Sequence, residues 1–468
     1  MGTINAAFAL IAGALDADQA AVNVVSNNVA NANTKGYARE TPNWQEDPPI
    51  VINGIVIGTG VTETGSTAQR DRVLEERLDQ QQQLASASGA RLTALDNIQA
   101  LFPVDSGSAS STAGDIGSDI TSFFNSFGAL EADPSSSALR EQVLSSASML
   151  AGDISGAASS LNAQRASLDQ QAAGVVSQVN TLTKAIAMLN SQIQSASPDA
   201  DAGALEDQRQ QYLNQLSKLI GINQVATEGN GLSIITVSGE LLVSQGQSFQ
   251  LSTASVNGVG DVFLGGKDIT SGLVDGGGQL GGYLTARDRD IPSVKESLDQ
   301  LAYGIAKAVN AQNSAGKDLN GSTGANIFSD PAQVSDSASS MSVVMTDPAG
   351  IAAASATAGS GDNSNAVALA SLSNTSVVNG QNPINYYSNF LSGLGAMVVE
   401  VQTANTAQTA SLTQLQSQRD ALSGVNLNDE ASALAMLESS YQAASRVFGI
   451  LNTIMASALN LGQQTTVS

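Results

Sequence analysis

The stretch ALAMLESSYQAASRVFGILNTIMASAL, residues 433–459, decides the fold. Its residues Leu434, Leu437, Tyr441, Ala444, Phe448, Leu451, Met455 and Ala458 follow in steps of three and four. That spacing makes an apolar seam on a helix that pairs with another helix. From Ala431 to Ser468 only Glu438 and Arg446 are ionisable. The other end of the chain repeats the pattern. Ile4, Phe8, Ile11, Leu15, Val22, Val25 and Val29 form a seam, and up to Thr34 only Asp16 and Asp18 are ionisable. A lone solvated helix keeps one polar, usually charged face. A helix whose remainder is neutral amide, hydroxyl and alanine is built to touch protein all round. The sequence therefore predicts that the two ends pair as a coiled coil and then pack against neighbouring copies. The plainer alternative is two amphipathic helices of one globular core. On the first reading the ends are mobile in an isolated subunit and order on assembly. Arg446 is then the cation available to Asp16 or Asp18, within a subunit or between neighbours.

The chain as a whole is strongly acidic, with 42 Asp and Glu against 19 Lys and Arg and a net charge of −23. Nucleic acid and anionic membrane both need clustered cations, so neither is an expected partner. There is no unbroken run of some 18 apolar residues to suggest a membrane-spanning helix. The N-terminus lacks the basic region and compact apolar segment of a cleaved secretory signal. With no Cys and no His, there is no disulfide framework, thiolate, imidazole base or ordinary zinc site. The length of 468 residues allows two or three domains.

Working inward from the ends, Asn33-Thr34-Lys35-Gly36-Tyr37 closes the first helix, with Gly36 suited to a left-handed turn. Residues 38–67 read as extended, with β-like Ile50-Val51-Ile52 and Ile55-Val56-Ile57 and the single Trp44. Helix resumes near Arg70 and runs to Phe102. Asp105 to Asp119 reads as a loop, and from about Ser135 a long helix carries Ile154, Leu161, Leu168, Val175, Val179, Ile186 and Ile193 on one seam. Ser197-Pro198-Asp199 breaks it, and a shorter helix ends at Gly221. At 222–282 helical periodicity stops and glycine collects. Asn230-Gly231 and Ser238-Gly239-Glu240 mark hairpin turns. Helix returns from about Ile291 to Asn313, one strand is expected at Met341–Met345, and Asp347-Pro348 offers an N-cap with Pro at the first helical position. The cleanest interior seam is Tyr387, Leu391, Leu394, Val398, Val401, Asn405, Gln408, Leu412 and Leu415, with the polar pair setting register. The expected architecture is mainly α with an inserted small β domain, arranged as an elongated nested rod. Its parts are a terminal domain of 1–40 and 425–468, a long-helix middle domain of 41–221 and 283–424, and an outer β domain of 222–282.

No catalytic, cofactor-binding or metal-binding residue is predicted. Gly276, Gly278 and Gly281 fit G-x-G-x-x-G, but the strand and helix of a βαβ unit are missing around them. A flexible re-entry from the β region explains them better. Asp318-Leu319-Asn320-Gly321 resembles the start of a calcium loop without its later ligands, and reads as a turn. Asp199 with Asp201, and Asp288 with Asp290, are acid pairs of the kind that solvated loops carry.

The segment Ser26-Asn27-Asn28-Val29-Ala30-Asn31-Ala32-Asn33-Thr34-Lys35-Gly36-Tyr37 resembles the N-terminal motif of bacterial flagellar axial proteins. The continuation Tyr37-Ala38-Arg39 is similar to the ending found in the flagellar hook-associated protein 1 family, with Ala38 for its usual Ser and Glu40 for its usual Gln. Ser423 to Ala431 and Tyr441 to Val447 resemble that family's C-terminal signature. Gly361 to Ala366, Leu298 to Ala302 and Asp318 to Gly321 resemble internal motifs, although a His often found near Asn313 is absent. The resemblance implies a structural adaptor, not an enzyme, that self-assembles as a ring-like helical layer at the hook tip. It implies flagellar hook protein and hook-associated protein 3 as neighbours, and an export chaperone on the C-terminal helix. It further implies an extracellular place at the hook–filament junction, reached through the flagellar export channel without a cleaved signal. The alternatives are another flagellar axial protein, such as hook or distal rod, and a secreted coiled-coil adhesin or effector.

Overall fold

The long three-and-four seams fold as helices, and the glycine-punctuated stretches between them fold as short antiparallel hairpins. The computed structural model describes residues 2–34, 36–52, 55–103, 115–195, 203–228, 230–256, 258–359 and 361–461. In chain order, α1 (Gly2–Asn31) leads to β1 (Glu40–Glu46), β2 (Ile50–Ile52), β3 (Ile55–Ile57) and β4 (Val61–Ala68). Then come α2 (Arg72–Gln99), α3 (Ile116–Ala132), α4 (Ser137–Ser195) and α5 (Gly203–Leu219). Strands β5 (Ile222–Ala226), β6 (Leu232–Thr236), β7 (Leu241–Ser244) and β8 (Gln247–Ser248) precede β9 (Leu251–Val256), β10 (Val259–Leu264) and β11 (Lys267–Asp268). After α6 (Thr270–Leu273) and α7 (Gly278–Thr285), a π-helical turn at Ala286–Asp290 opens α8 (Ile291–Ser314). The remainder is β12 (Gly316–Lys317), α9 (Ser337–Ser340), β13 (Ala354–Ser355), α10 (Ser364–Ser371), α11 (Pro383–Ser423) and α12 (Leu427–Leu461). The chain divides into two compact units.

The first unit gathers Met1–Gln83, Gln178–Gln250 and Thr409–Ser468. Strands β1 and β4 form an antiparallel ribbon with an irregularity between Pro42 and Trp44, and β2 pairs with β3. Helix α1 packs on β1, on β4 and on α12. A meander of β5, β6, β7 and β8 forms a separate sheet. Its turns use left-handed backbone where the sequence expects it, at Asn230 (φ 56°) and Gly239 (φ 91°). The loop at Asn230 is longer than a two-residue hairpin, because Ala226 pairs with Leu232.

One buried carboxylate organises this unit. Asp79 of α2 accepts from Gln210 Nε2 at 3.1 Å, Ser217 Oγ at 3.1 Å and Gln224 Nε2 at 2.8 Å. It thereby ties α2 to α5 and to β5. Burial, reinforced by the nearby charge of Glu75, pushes its carboxyl up to about 7 despite the three donors.

The second unit comprises Leu84–Ser177 and Leu251–Gln408, and holds the largest apolar core. Phe123, Phe124 and Phe127 of α3 cluster with Phe328. Around them pack Leu150, Ile154 and Leu161 of α4, Leu298, Leu301 and Ile305 of α8, and Tyr387, Leu394, Val398 and Val401 of α11. Asn405 of α11 accepts from Ser88 Oγ at 3.1 Å, so a polar group does sit within that seam. Arg140 is buried without a carboxylate hydrogen-bond partner among the described residues. It donates instead to the carbonyls of Pro134 and Ile351.

Several expectations need correction. Residues 115–119 do not belong to a loop. Asp115 caps α3 by accepting from the Gly117 amide at 2.9 Å, and Ile116, Ile120, Phe123, Phe127 and Leu130 form its buried face. The expected strand at Met341–Met345 reduces to an isolated bridge between Val343 and Phe328. At Asp347-Pro348 the cap is present, with Asp347 Oδ1 accepting from Ala349 N, but it starts only a single 3₁₀ turn. The two halves of 222–282 fall in different units, β5–β8 in the first and β9–β11 in the second. Over Ala6–Asn31, α1 is long and apolar enough to cross a membrane by length and composition. The sequence shows no unbroken apolar run there because Asp16, Asp18 and neutral Asn, Gln and Ser interrupt it. This helix commits Ile11, Ala17, Ala21 and Val25 to protein contact. The Ser197-Pro198-Asp199 break lies outside the described residues.

Asp79 is held above its unfolded value of 3.8. Its contribution is therefore full below that value and is lost as pH rises through about 7. Denaturant midpoints measured at about pH 5 and about pH 8 should fall for the wild type, and the fall should be smaller for Asp79→Asn.

Candidate functional site

A chain with neutral ends can function through those ends only if something holds them in register. Helices α1 and α12 pair along their length. Near the free end of the pair, Phe8 and Phe448 meet edge to face, with ring centroids 5.2 Å apart and planes at 89°. On α12 the predicted seam is half-buried at Leu437, Ala444, Phe448, Leu451 and Met455, while its Leu434, Tyr441 and Ala458 are exposed. On α1 the deep stripe is Ile11, Ala17, Ala21, Val25 and Asn28. Val29, expected in the seam, is 43% exposed. Small alanines occupy the deep positions because α1 must fit against the β-ribbon as well as α12. The side chain of Ile4 lies outside the described residues.

At the other end of the pair, the two terminal motifs meet. Asn28 is 1% exposed and Glu430 is fully buried. Asn28 Nδ2 donates to Glu430 Oε2 at 3.1 Å and to the Glu40 carbonyl at 2.8 Å. Its Oδ1 accepts from the Glu40 amide and from the Tyr37 hydroxyl, both at 2.9 Å. All four hydrogen-bonding positions of the amide are therefore used. Arg39 Nε reaches Glu430 Oε1 at 2.5 Å, and the Arg39 amide donates to the Ser423 carbonyl at 2.9 Å. Ser66 of β4 donates to Glu40 Oε2 at 2.8 Å, extending the network into the ribbon. Burial, with the charges of Glu40, Asp207 and Glu430 nearby, raises the Tyr37 phenol well above its ordinary range. It stays neutral and keeps its proton to donate.

Local sequence explains the geometry. Asn426 caps α12 by accepting from the Asn428 amide at 3.0 Å, which places Asp429 and Glu430 in the first turn, where the helix dipole favours a carboxylate. Helix α1 ends at Asn31, and Gly36 turns the chain with φ 86°. That turn returns Tyr37, Arg39 and Glu40 to Asn28. Lys35 lies outside the described residues.

The sequence pointed to Arg446 with Asp16 or Asp18 as the charged contact between the ends. Within the chain, no ion pair among the described residues joins them; the charge that pairs across the termini is Glu430. Its signal was an acid in the first turn of a helix, set against an Arg just after the N-terminal motif. Trp44 lies on β1 opposite Glu63 and is 53% exposed.

The other candidates resolve into structural roles. Gly276 and Gly281 pack against the backbone of Leu273, and Gly282 lies against the Ala87 carbonyl and the Ala90 side chain. Gly276 and Gly281 permit close approach to α6 and Gly282 permits that of α7 to α2, so the stretch is close-packed and not a flexible re-entry. Asp318 Oδ1 accepts from the amides of Asn320 at 2.9 Å and Ser322 at 2.7 Å, closing a turn with Gly321 at φ 79°. Asp288 pairs with Arg287, and Asp290 accepts a two-pronged contact from Arg91 at 2.8 Å. The two acids therefore serve different arginines. Asp199 and Asp201 lie outside the described residues. No metal-ligating cluster of three or more acidic side chains occurs among the described residues.

The family model described as "Flagellar hook-associated protein FlgK helical domain" matches residues 104–328. A second, "Flagella basal body rod protein", matches residues 11–37, the segment that supplies Asn28 and Tyr37. Flagellar hook-associated protein 1 of Escherichia coli K12 is 26% identical over 546 aligned residues, covering 96% of this chain and 98% of that protein. The Bacillus subtilis strain 168 protein of the same description is 26% identical over 496 aligned residues, covering 96% of each. The chain belongs to the flagellar hook-associated protein 1 family. Members of the hook-associated protein 1 family are structural proteins and not enzymes. The fold agrees with the solved structure of the flagellar hook junction protein FlgK from Burkholderia pseudomallei, at a TM-score of 0.65 and 19% identity. That match covers 74% of this chain and 100% of the other.

Asn28→Ala leaves the Tyr37 hydroxyl, the Glu40 backbone and one Glu430 oxygen without their partner. The change should cost about 1–3 kcal/mol. Amide hydrogen exchange should show faster exchange in α1 and α12, while the second unit's core helices keep their protection.

Proposed function

We propose that this chain is a structural adaptor that assembles at the tip of the flagellar hook and joins hook to filament. The observation that carries the proposal is a second apolar stripe on α12. Met436, Val447, Ile450 and Ile454 are 74%, 45%, 59% and 48% exposed. At 100° per residue they share one face, about a quarter turn from the seam that meets α1. A helix already paired along one face and still apolar on the next is suited to a further helix. Neighbouring copies supply one in a ring-like helical layer. Neutral faces pack there without stripping water from charges. The acidic excess of the chain remains for outer surfaces, where it maintains solubility.

On this reading, residues 1–40 with 425–468 act as the assembly domain, and the residues between them form the middle and outer parts of the adaptor. The flagellar hook protein and hook-associated protein 3 are the neighbours along the axis. The chain leaves the cell through the flagellar export channel without a cleaved signal, held beforehand by a chaperone on its C-terminal helix. The likeness of the whole chain to the Escherichia coli and Bacillus subtilis proteins supports this place in the flagellum.

A strain lacking the gene should make hooks and shed unassembled flagellin, and normal filaments would end the adaptor reading. Ile450→Glu puts a charge on the outward stripe. The purified monomer should keep its helical circular dichroism and melting temperature, yet fail to restore filaments in that strain.

A further inference from the structure

The first unit contains a cavity of about 190 Å³ between the start of α2, α5 and the β5–β6 hairpin. Three arginines line it, Arg70, Arg72 and Arg209, in a chain where acids outnumber bases by more than two to one. They are not equally satisfied. Arg70 pairs with Asp207, and Arg72 reaches Glu206 at 3.9 Å. Arg209 is only 9% exposed, and its hydrogen bonds run from Nη1 to neutral acceptors, Asn190 Oδ1 at 3.0 Å and the Asn230 carbonyl at 2.7 Å. Among the described residues no carboxylate forms an ion pair with it. Glu206 acts on it through space, but that carboxylate is directed at Arg72. Glu75 and Glu76 also lie on the cavity wall, and burial raises the Glu75 carboxyl while the Arg419 and Arg70 charges lower it.

A buried guanidinium with only neutral acceptors is costly, because its charge has left water without a counter-charge. Two more lining residues add unmet polar atoms of the same kind. Thr227 Oγ1 and Arg70 Nε are buried with no hydrogen-bond partner among the described residues. Each can donate a hydrogen bond, as can the free edge of Arg209. A cavity wall that carries a buried guanidinium with no carboxylate ion pair among the described residues, beside a hydroxyl still able to donate, can take an oxygen anion at that point.

The geometry points to a carboxylate-binding site in this cavity, with Arg209 as its charged anchor and Thr227 as a second donor. The planar guanidinium fork suits the two oxygens of a carboxylate. The carboxylate has two possible sources, a small free acid or an Asp or Glu side chain of a second copy of this chain. The site stands on the cavity's own geometry and does not depend on the adaptor reading.

The test uses the full-length chain. Acetate and succinate are titrated against chloride at constant ionic strength, with melting temperature and calorimetry as readouts, and self-assembly is followed in parallel by light scattering. A free-acid site gives saturable stabilisation of the wild type. Affinity should then be at least about tenfold weaker in Arg209→Gln, the loss of one charge-assisted contact, and reduced in Thr227→Val. A side-chain source gives no such saturation. Instead, assembly of both variants weakens while their monomer melting temperatures hold, and added acetate inhibits wild-type assembly. If Arg209→Gln does not fold, Thr227→Val and Arg209→Lys carry the same readouts. Equal responses to acetate, succinate and chloride, together with unchanged assembly of the folded variants, would overturn the proposal.

Discussion

Everything at the termini depends on one amide. Asn28 stands where the β-ribbon, the turn after α1 and the first turn of α12 converge, and its four hydrogen bonds leave nothing unmade. A buried amide is costly when partly satisfied and directional when fully satisfied. Apolar seams alone let two helices slide by a turn, since one small residue replaces another at similar energy. The clasp of Asn28, Tyr37, Arg39 and Glu430 removes that freedom, because a shift of one turn would leave Glu430 buried without Arg39. The Phe8–Phe448 contact is then a consequence of a register set at the opposite end of the pair.

The same economy of charge recurs elsewhere. Most of the buried ionisable groups have specific partners. Arg91 and Asp290 are joined by two hydrogen bonds, and Arg287 meets Asp169 and Asp288. Arg140 substitutes backbone carbonyls for a carboxylate. Asp79 accepts from three neutral donors, and burial holds its carboxyl up near 7 despite them. Arg209 departs from this pattern, which is why its surroundings read as a site and not as packing. At the termini the pattern is reversed by design of the surface: α12 keeps apolar side chains in contact with water on a face that one chain cannot cover.

Much of the helical architecture was legible in the sequence, since a seam repeated over many turns outweighs local exceptions. The α11 seam from Tyr387 to Leu412 is buried as its spacing implies. The termini pair as the seams of α1 and α12 require. The start of helix α3 is hard to see in the sequence because a Ser- and Gly-rich stretch leads directly into the Asp115 cap and the Ile116, Ile120, Phe123 and Phe127 repeat. Met341–Met345 reads as a strand by composition, yet its surroundings supply a single bridging partner. The sheets of 222–282 separate because a hairpin is placed by the helices that cover its apolar face, and hairpin signals carry no record of those helices. The N-terminal motif and the Ser423 to Ala431 signature identified the family, but neither one predicts that they touch.

By itself the sequence determined the helix periods, the neutrality of both ends, the absence of thiol and imidazole chemistry and the family. These are local or compositional properties, and each is written in consecutive residues. Only the tertiary structure decided that Asn28 and Glu430 share a hydrogen bond across 402 positions of chain, and that Val29 faces outward while Asn28 faces in. It also decided that the Gly276–Gly282 stretch serves close packing and that Arg209 has no carboxylate ion pair among the described residues. Those outcomes depend on which surfaces meet in space, and a side chain's partner across a fold leaves no periodic trace along the chain.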